Sequence, residues 1–460
     1  MSRAPLWEVA FQGKFSFAKS ESERRPVKMA SHRMPSSPRV PLEVFATPEQ
    51  EIARLISLPE IRHACDWLRT AEPTLQGWQM ELARIPAPPF GEAARSLWLA
   101  EKFRKLGLDD VEIDEVGNVL GVCAGAARSP ADSYIAVSAH IDTVFPPDSP
   151  LDIRREGSKL LGPGVSDNGA GVIAMLALAA VMQATALQPC QPILFLGNVG
   201  EEGEGDLRGM RHIFVQPRWL NAIACNVILD GAGTDVIVAE ALGSRRFEVT
   251  VRGPGGHSWS DYGIPNPIVI LAGAIEAFSR ARVPQSPKTS TNVGVIHGGT
   301  SVNSIPEIAS MRVDIRSTSM DEVERLERAL RQALDESMSD ARLSEGNPDH
   351  GSPRSGAPNP GLTAEIVMIG NRPSGELEPG ARILRVVRAV DHHLHNAAHV
   401  QRASTDANIP LSLGREAVAL GGGGRGGGAH TLQERFDCEG RDLGLRRILL
   451  AVLALAGVLQ

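Results

Sequence analysis

Three apolar runs of strand length in this chain each lead into side chains that bind metal ions. They are Tyr134–Val137 with His140 and Asp142, Ile193–Gly197 with Glu201 and Glu202, and Val227–Leu229 with Asp230. Residues i and i+2 of a strand point to the same side, so His140 and Asp142 should emerge together. In α/β sheets the active site forms at the carboxyl ends of strands. The sequence therefore predicts that these side chains converge at one edge of a sheet.

Strand-like and helix-like segments alternate in the first half of the chain, which is typical of a sheet covered by helices. Near Leu242 the pattern changes to the order β-α-β-β-α-β of a ferredoxin-like unit. We expect an α/β fold with a mixed sheet flanked by helices and an inserted ferredoxin-like α+β domain. The predicted divisions are a disordered extension at 1–47, the larger domain at 48–242 and 371–460, and the inserted domain at 243–370.

Composition excludes several classes of protein. The net charge of −7 argues against a nucleic-acid partner, because a surface that binds nucleic acid is basic. The five cysteines have no CxxC spacing, so neither a disulfide framework nor a thiolate metal site is indicated, and we expect a cytoplasmic protein. No apolar run reaches about 18 residues, the length of a membrane span. Met1–Pro41 lacks the apolar core of a secretory signal, so we do not expect it to be one.

Five side chains form a predicted metal site. They are two imidazoles and three carboxylates at strand ends or glycine-rich turns: His140, Asp167, Glu202, Asp230 and His430. This mixed set suits zinc, with cobalt or manganese as alternatives. If Asp167 bridges two ions, one takes His140 and Asp230 and the other takes Glu202 and His430. Three protein ligands for each ion leave a position open for water, as in catalytic zinc sites.

Glu201 is predicted to be the general base. It is adjacent to Glu202 but is not needed to complete the ligand set, so it can take a proton from a water that bridges two metal ions. A partly closed pocket rich in carboxylates would raise its pKa toward neutrality. Asp142 is predicted to accept the second N–H of His140, which would fix the tautomer of that imidazole.

The motifs around these residues resemble the M20 family of dinuclear zinc peptidases and amidohydrolases, nearest to its peptidase T-like and carboxypeptidase-like branch. The matching runs are AHIDTV, GVSDNGAG, GNVGEEGEGDLRG, LDG and GGGGRGGGAHTLQE. The resemblance covers roughly Pro48–Gln460 and implies an M20-type metallopeptidase with two divalent ions. It implies that the inserted domain is a lid through which the chain forms a homodimer. It also implies a cis peptide bond between Asp167 and Asn168.

The inserted domain is also expected to contact substrate. The resemblance implies that His257, in GPGGHSWSD, reaches the active site of the partner subunit and polarises the substrate carbonyl. It implies that Asn303, in GGTSVNSIP, grips the substrate. Arg316 is a further candidate, because a guanidinium can bind a substrate carboxylate through two parallel hydrogen bonds. Arg402 is another, because it precedes a glycine-rich loop that is expected to face the same cleft.

Three other features are conspicuous. The run Gly421–Gly428 leads directly to His430 and lacks the lysine of a phosphate-binding loop, which favours close backbone approach to substrate. The histidines at 392–399 are expected to lie on a polar helix face, although His395 and His399 have the i,i+4 spacing of a metal site. His297 is equally consistent with a structural role and with a substrate contact.

The predicted function is metal-dependent hydrolysis of an amide bond in short peptides, by a di- or tripeptidase or an exopeptidase. The alternative is a deacylase acting on N-acyl amino acids or related amides, which would use the same ions and base with a different pocket. A non-catalytic binding protein with this fold would be expected to have lost Glu201 or a ligand, and the sequence retains them all. Neither a nucleic acid nor a membrane is an expected partner.

Overall fold

The computed structural model describes residues 47–126, 133–345 and 361–458, and the predicted extension at 1–47 lies outside these ranges except for its last residue. The described helices are α1 (Pro48–Ser57), α2 (Pro59–Thr70), α3 (Glu72–Ala83), α4 (Ala93–Lys105), α5 (Gly169–Thr185), α6 (Arg208–Val215), α7 (Pro217–Leu220), α8 (Pro267–Ser279), α9 (Met320–Glu345), α10 (Arg382–Leu394), α11 (Asn408–Ser412) and α12 (Arg441–Ala456). Every helix in these ranges is too short or too polar to cross a bilayer.

The described strands form a large central sheet and three smaller sheets. They are β1 (Asp109–Ile113), β2 (Val119–Cys123), β3 (Tyr134–His140), β4 (Arg154–Glu156), β5 (Lys159–Leu161), β6 (Ile193–Asn198), β7 (Ile223–Leu229), β8 (Val236–Ala241), β9 (Gly243–Arg252), β10 (Gly256–His257), β11 (Thr289–Gly298), β12 (Ser304–Ile305), β13 (Ile308–Ser317), β14 (Thr363–Arg372), β15 (Gly375–Glu376), β16 (His399–Ala403), β17 (Glu416–Leu420), β18 (Arg425–Gly427) and β19 (Arg435–Asp437).

The central sheet has nine strands in the order β1-β2-β6-β3-β7-β17-β8-β15, and β16 also pairs with β8. Strand β3 is parallel to β6 and β7, and β17 is parallel to β7. These strands are apolar and buried because helices cover the sheet. Their carboxyl ends therefore open onto a common edge, where the metal-type side chains follow.

Helix α5 fixes the position of Asp167 at this edge of the sheet. It is apolar and buried over almost its whole length, and so it packs as a core helix. Its N-cap is Asn168, whose side chain accepts a hydrogen bond from the backbone N–H of Gly171. Asp167 therefore lies immediately before the first turn of a helix that the core holds in place.

The inserted domain is a four-stranded antiparallel sheet in the order β11-β13-β9-β14. Helices α8 and α9 pack on one face of this sheet and share a separate hydrophobic core with it, which includes Phe247 and Leu326. This is the ferredoxin-like arrangement that the order of the elements predicts. The sheet begins at Gly243 and ends at Arg372.

The prediction that the histidines at 392–399 lie on one helix face is wrong for His395 and His399. Helix α10 ends at Leu394, because His395 has a left-handed backbone with φ of 54°. His399 instead begins β16, which pairs with β8. The i,i+4 spacing therefore places no pair of imidazoles on a helix here.

Candidate metal centre

His140 is the last residue of β3, and its imidazole lies among carboxylates at the edge of the sheet. Its Nε2 lies 3.3 Å from Oδ1 of Asp167 and 3.7 Å from Oδ1 of Asp230, and its Nδ1 lies 3.4 Å from Oδ1 of Asp142. Burial lowers the pKa of His140, but hydrogen bonding to the three carboxylates outweighs burial and raises the pKa well above its ordinary value. A bound cation would displace the resulting proton.

His430 approaches the other oxygen of Asp167. Its Nε2 lies 3.1 Å from Oδ2 of Asp167 and 3.1 Å from Oε1 of Glu202. Hydrogen bonds to these two carboxylates raise the pKa of His430 to about 10. The two oxygens of Asp167 thus face two different imidazoles.

The five predicted ligands therefore form two groups that share Asp167. One group is His140, Asp167 and Asp230, and the other is Asp167, Glu202 and His430. In each group, every residue offers one nitrogen or oxygen atom, and these atoms lie within 4.8 Å of one another. A third group with this spacing joins His140 to Glu201 and Glu202. Carboxylates packed this closely repel one another unless a cation lies between them. The donor set of imidazole nitrogens and carboxylate oxygens fits divalent metal ions.

Asn168 ties together the segments that carry the first group. Its Oδ1 accepts hydrogen bonds from the backbone of Gly171 and Gly231, and its Nδ2 donates to the carbonyl oxygens of Leu229 and His140. The ends of β3 and β7 and the start of α5 are therefore joined by one buried amide. The peptide bond between Asp167 and Asn168 is cis, which confirms the geometry that the family resemblance implies.

Asp142 aligns the pair of glutamates after β6. Its Oδ1 and Oδ2 accept the backbone N–H groups of Glu201 and Glu202 at 3.0 and 2.8 Å. Burial favours a higher pKa for Asp142, but His140 and the two N–H groups hold the pKa below its usual value. The carboxylate that faces His140 thus also fixes the backbone that carries Glu201 and Glu202.

Glu201 is buried and makes an ion pair that the sequence did not indicate. Arg372 donates from Nη1 to Oε1 of Glu201 at 2.8 Å, and from Nη2 to the main-chain oxygen of the same residue. Burial raises the pKa of Glu201 well above its ordinary value, although Arg372 opposes this shift. A raised pKa makes the carboxylate a stronger proton acceptor, which suits a general base.

Comparisons with known proteins agree with this arrangement of a central sheet and an inserted domain. A model described as peptidase family M28 matches residues 118–243, and the M20 dimer model, described as a peptidase dimerisation domain, matches residues 240–341. A "Probable carboxypeptidase" of Aspergillus clavatus is 28% identical over 265 residues, which are 53% of this chain and 57% of that protein. The chain is therefore similar to M20-type metallopeptidases in fold and in part of its sequence. It spans about half the length of the curated relatives it matches.

Solved M20-type and related structures share the fold over most of the chain. A tripeptidase from Staphylococcus aureus has a TM-score of 0.65 and 20% identity, with 84% of this chain and 98% of that chain covered. A dinuclear metal-binding peptidase of the M20 family from Bacillus subtilis has a TM-score of 0.58 and 14% identity, with 85% and 100% covered. A hydantoinase/carbamoylase family amidase from Burkholderia ambifaria has a TM-score of 0.55 and 18% identity, with 85% and 98% covered. These likenesses confirm the predicted fold class.

His257 and Asn303 lie beside each other in the inserted domain. Strand β10 ends at His257 and pairs with β12, and the carbonyl oxygen of Asn303 accepts the N–H of Ser258 at 3.0 Å. His257 is exposed, and its Nδ1 accepts the N–H groups of Trp259 and Ser260 at 3.2 and 3.4 Å. Within the described part of the chain, neither residue contacts the five metal-type side chains. The expected role of His257 thus requires the active site of another subunit.

The structure does not bring Arg316 and Arg402 to the metal-type residues. Arg316 donates to Oδ2 of Asp314 at 2.6 Å within the sheet of the inserted domain. Arg402 forms ion pairs with Glu240 at 2.8 Å and with Glu376 at 3.7 Å. Each guanidinium group is therefore paired with a carboxylate outside the candidate metal centre. The arginine that does lie in the site is Arg372, which pairs with Glu201 and was not predicted from the sequence.

Glu434 holds the loop before α5 and was also missed. Its buried carboxylate accepts the backbone N–H groups of Gly164, Ser166 and Asp167 at 2.9, 2.7 and 2.7 Å. It lies four residues after His430, between β18 and β19. Its closeness in sequence to the predicted ligand His430 was the one sequence feature that could have indicated this role.

We expect Glu434→Gln to weaken metal binding by about 10- to 100-fold, the usual effect of losing a group that orients a ligand. The amide retains one acceptor oxygen, so N–H groups of the Asp167 loop lose their partner. Calorimetric titration of the metal-free protein with zinc measures the change. Exposed Glu439 provides a matched control as Glu439→Gln. Equal zinc affinity of the two variants would contradict the role given to Glu434.

Proposed function

We propose that this chain hydrolyses amide bonds in short peptides with two divalent ions, zinc in the first instance and cobalt or manganese as alternatives. The observation that carries the proposal is that Asp167 faces His140 with one oxygen and His430 with the other. A shared carboxylate with an imidazole on each side suits a pair of ions. His140, Asp167 and Asp230 would hold one ion, and Asp167, Glu202 and His430 the other.

When bound, the two ions would polarise the substrate carbonyl and make a water molecule more acidic. Glu201 takes a proton from a water molecule as the oxygen of that water attacks the carbonyl carbon. Glu201 then gives the proton to the leaving nitrogen as the C–N bond breaks. Asp142 keeps Glu201 in place through its backbone N–H, and Arg372 holds its carboxylate. The pairing with Arg372 favours the role of base over that of ligand, because a cation beside a ligand would oppose metal binding.

Short peptides are the favoured substrates because the relatives named above include a tripeptidase and a probable carboxypeptidase. The second candidate is an amidase that acts on N-acyl or N-carbamoyl amino acids, and the shared fold of the Burkholderia amidase favours it. A panel in which the leaving amine is always phenylalanine separates the two candidates. We expect glycyl-phenylalanine and diglycyl-phenylalanine to have at least tenfold higher kcat/KM than N-acetyl- and N-carbamoyl-phenylalanine. The reverse order would establish the amidase.

We further propose a homodimer formed through the inserted domain. Strand β11 is at the edge of its sheet, and Val295 and Ile296 are exposed on it. Ile268 and Val269 of the neighbouring α8 are also exposed. An edge strand with exposed apolar residues is a template for pairing with another chain. The match of residues 240–341 to a dimerisation domain supports this surface.

Mixed dimers test the proposed action of His257 across subunits. We expect His257→Ala and Glu201→Ala to be nearly inactive when pure, and a mixture of the two to regain activity. In the mixed dimer, one site has an intact Glu201 and receives an intact His257 from its partner. Subunit exchange at low concentration, followed by peptide hydrolysis, measures the recovery. Native mass spectrometry shows whether mixed dimers have formed. If mixed dimers form and activity does not recover, His257 acts in the site of its own chain.

A further inference from the structure

We infer that Arg372 is a positioning residue that connects the inserted domain to the general base of this enzyme. The inference rests on the proposed function of Glu201. Arg372 is the last residue of β14, so it belongs to the sheet of the inserted domain. Its guanidinium reaches out of that sheet to the loop that follows β6 of the central sheet, where it meets Glu201.

The contact between Arg372 and Glu201 has two points of attachment. Nη1 donates to Oε1 of the carboxylate at 2.8 Å, and Nη2 donates to the main-chain oxygen of the same residue. Nη1 also lies 3.2 Å from the hydroxyl oxygen of Ser404. Both partners are about 6% exposed. A planar guanidinium that holds main chain and side chain together fixes both the position and the rotamer of Glu201.

The loop that carries Glu201 is attached to the inserted domain along its length. Arg246 donates to the carbonyl oxygen of Gly203 at 3.0 Å, and Arg312 pairs with Glu204 at 3.0 Å. Asp206 accepts the backbone N–H of Asn371 at 3.0 Å. A displacement of the inserted sheet would therefore be transmitted to this loop. Among these contacts, the one from Arg372 reaches the reacting carboxylate.

This attachment determines which oxygen of Glu201 is free to act. Arg372 occupies Oε1, and no described residue donates a hydrogen bond to Oε2. Oε2 is therefore the atom that takes a proton from water. Small errors in the placement of a catalytic group reduce turnover strongly, and a displacement of about 1 Å can cost about 100-fold. We therefore expect the loss of Arg372 to lower kcat and to leave the metal-type residues intact.

The test compares Arg372→Gln and Arg372→Lys with Arg312→Gln, a matched control whose side chain contacts the same loop at Glu204. We expect Arg372→Gln to lower kcat by about 10- to 100-fold with KM changed less than threefold and metal content unchanged. Arg372→Lys should recover part of kcat, and Arg312→Gln should stay within threefold of wild type. An unchanged kcat, or a loss that falls on KM alone, would overturn the inference.

Two further measurements separate this inference from the proposed function. In a Glu201→Gln background, Arg372→Gln should cause no further loss of kcat, and an additional tenfold loss would overturn the inference. In metal-free protein, Arg372→Gln should increase hydrogen exchange of the amides at 202–206 at least tenfold over wild type, and unchanged exchange would overturn the coupling. If the wild-type chain cleaves no amide, the proposed function fails, while hydrogen exchange still decides whether Arg372 anchors the loop.

Discussion

Glu201→Ala is expected to keep its metal ions while losing about 10²- to 10⁴-fold or more in kcat. The substitution removes the carboxylate that takes the proton from water and leaves all five predicted ligands in place. Glu201 also lies within 4.8 Å of atoms of His140 and Glu202, so its geometry alone allows it to bind metal. Metal content and kcat must therefore be measured on the same protein, by elemental analysis and by peptide hydrolysis.

The nearby residue Glu204 provides the control for this experiment. It is largely exposed and pairs with Arg312 in the same loop. Glu204→Ala should retain kcat within threefold and both metal ions. Loss of an ion in Glu201→Ala but not in Glu204→Ala would mean that Glu201 is a ligand. Full activity of Glu201→Ala would remove the proposed mechanism altogether.

Asp167→Ala is expected to lose both ions and to reduce hydrolysis to background. Each group would keep two protein ligands in place of three, because the two oxygens of Asp167 face different imidazoles. Zinc should then no longer raise the melting temperature, since a ligand stabilises the folded state only at concentrations near or above its dissociation constant. Elemental analysis and melting curves with and without zinc measure both effects.

Exposed Asp148, which follows the His140 loop, provides the matched control as Asp148→Ala. This variant should bind two ions and be stabilised by zinc like the wild type. If Asp167→Ala also retained two ions at wild-type affinity, Asp167 would not bridge them. If it lost one ion alone, Asp167 would be an ordinary ligand of a single metal.

The grouping of the metal-type residues could be predicted from the sequence because it depends on strand direction. His140, Glu202 and Asp230 follow apolar strands, and parallel strands bring their carboxyl ends to one edge. Asp167 was placed by the start of an apolar helix. The ferredoxin-like insertion could be predicted as well. The periodicity of apolar residues identifies each of its helices and strands, and their order along the chain identifies the unit. These roles as ligands remain predictions that metal analysis will test.

The contacts that position the site could not be predicted in the same way. Arg372 and Glu201 are 171 residues apart, and Glu434 and Asp167 are 267 apart. No periodicity links residues at such separations, and each pair meets only because two domains or two sheets pack together. For the same reason, the prediction that Arg316 and Arg402 bind substrate could not allow for their actual partners. Each guanidinium pairs with a carboxylate on its own strand or a neighbouring strand.

The ion count of the zinc-reconstituted protein tests the central claim most directly. Native mass spectrometry after removal of excess zinc gives the number of ions bound to each chain. We predict two ions per chain in the wild type, held by the two groups that share Asp167. A chain that binds no zinc, or a single ion at saturation, would contradict the two-ion site on which the proposed hydrolysis depends.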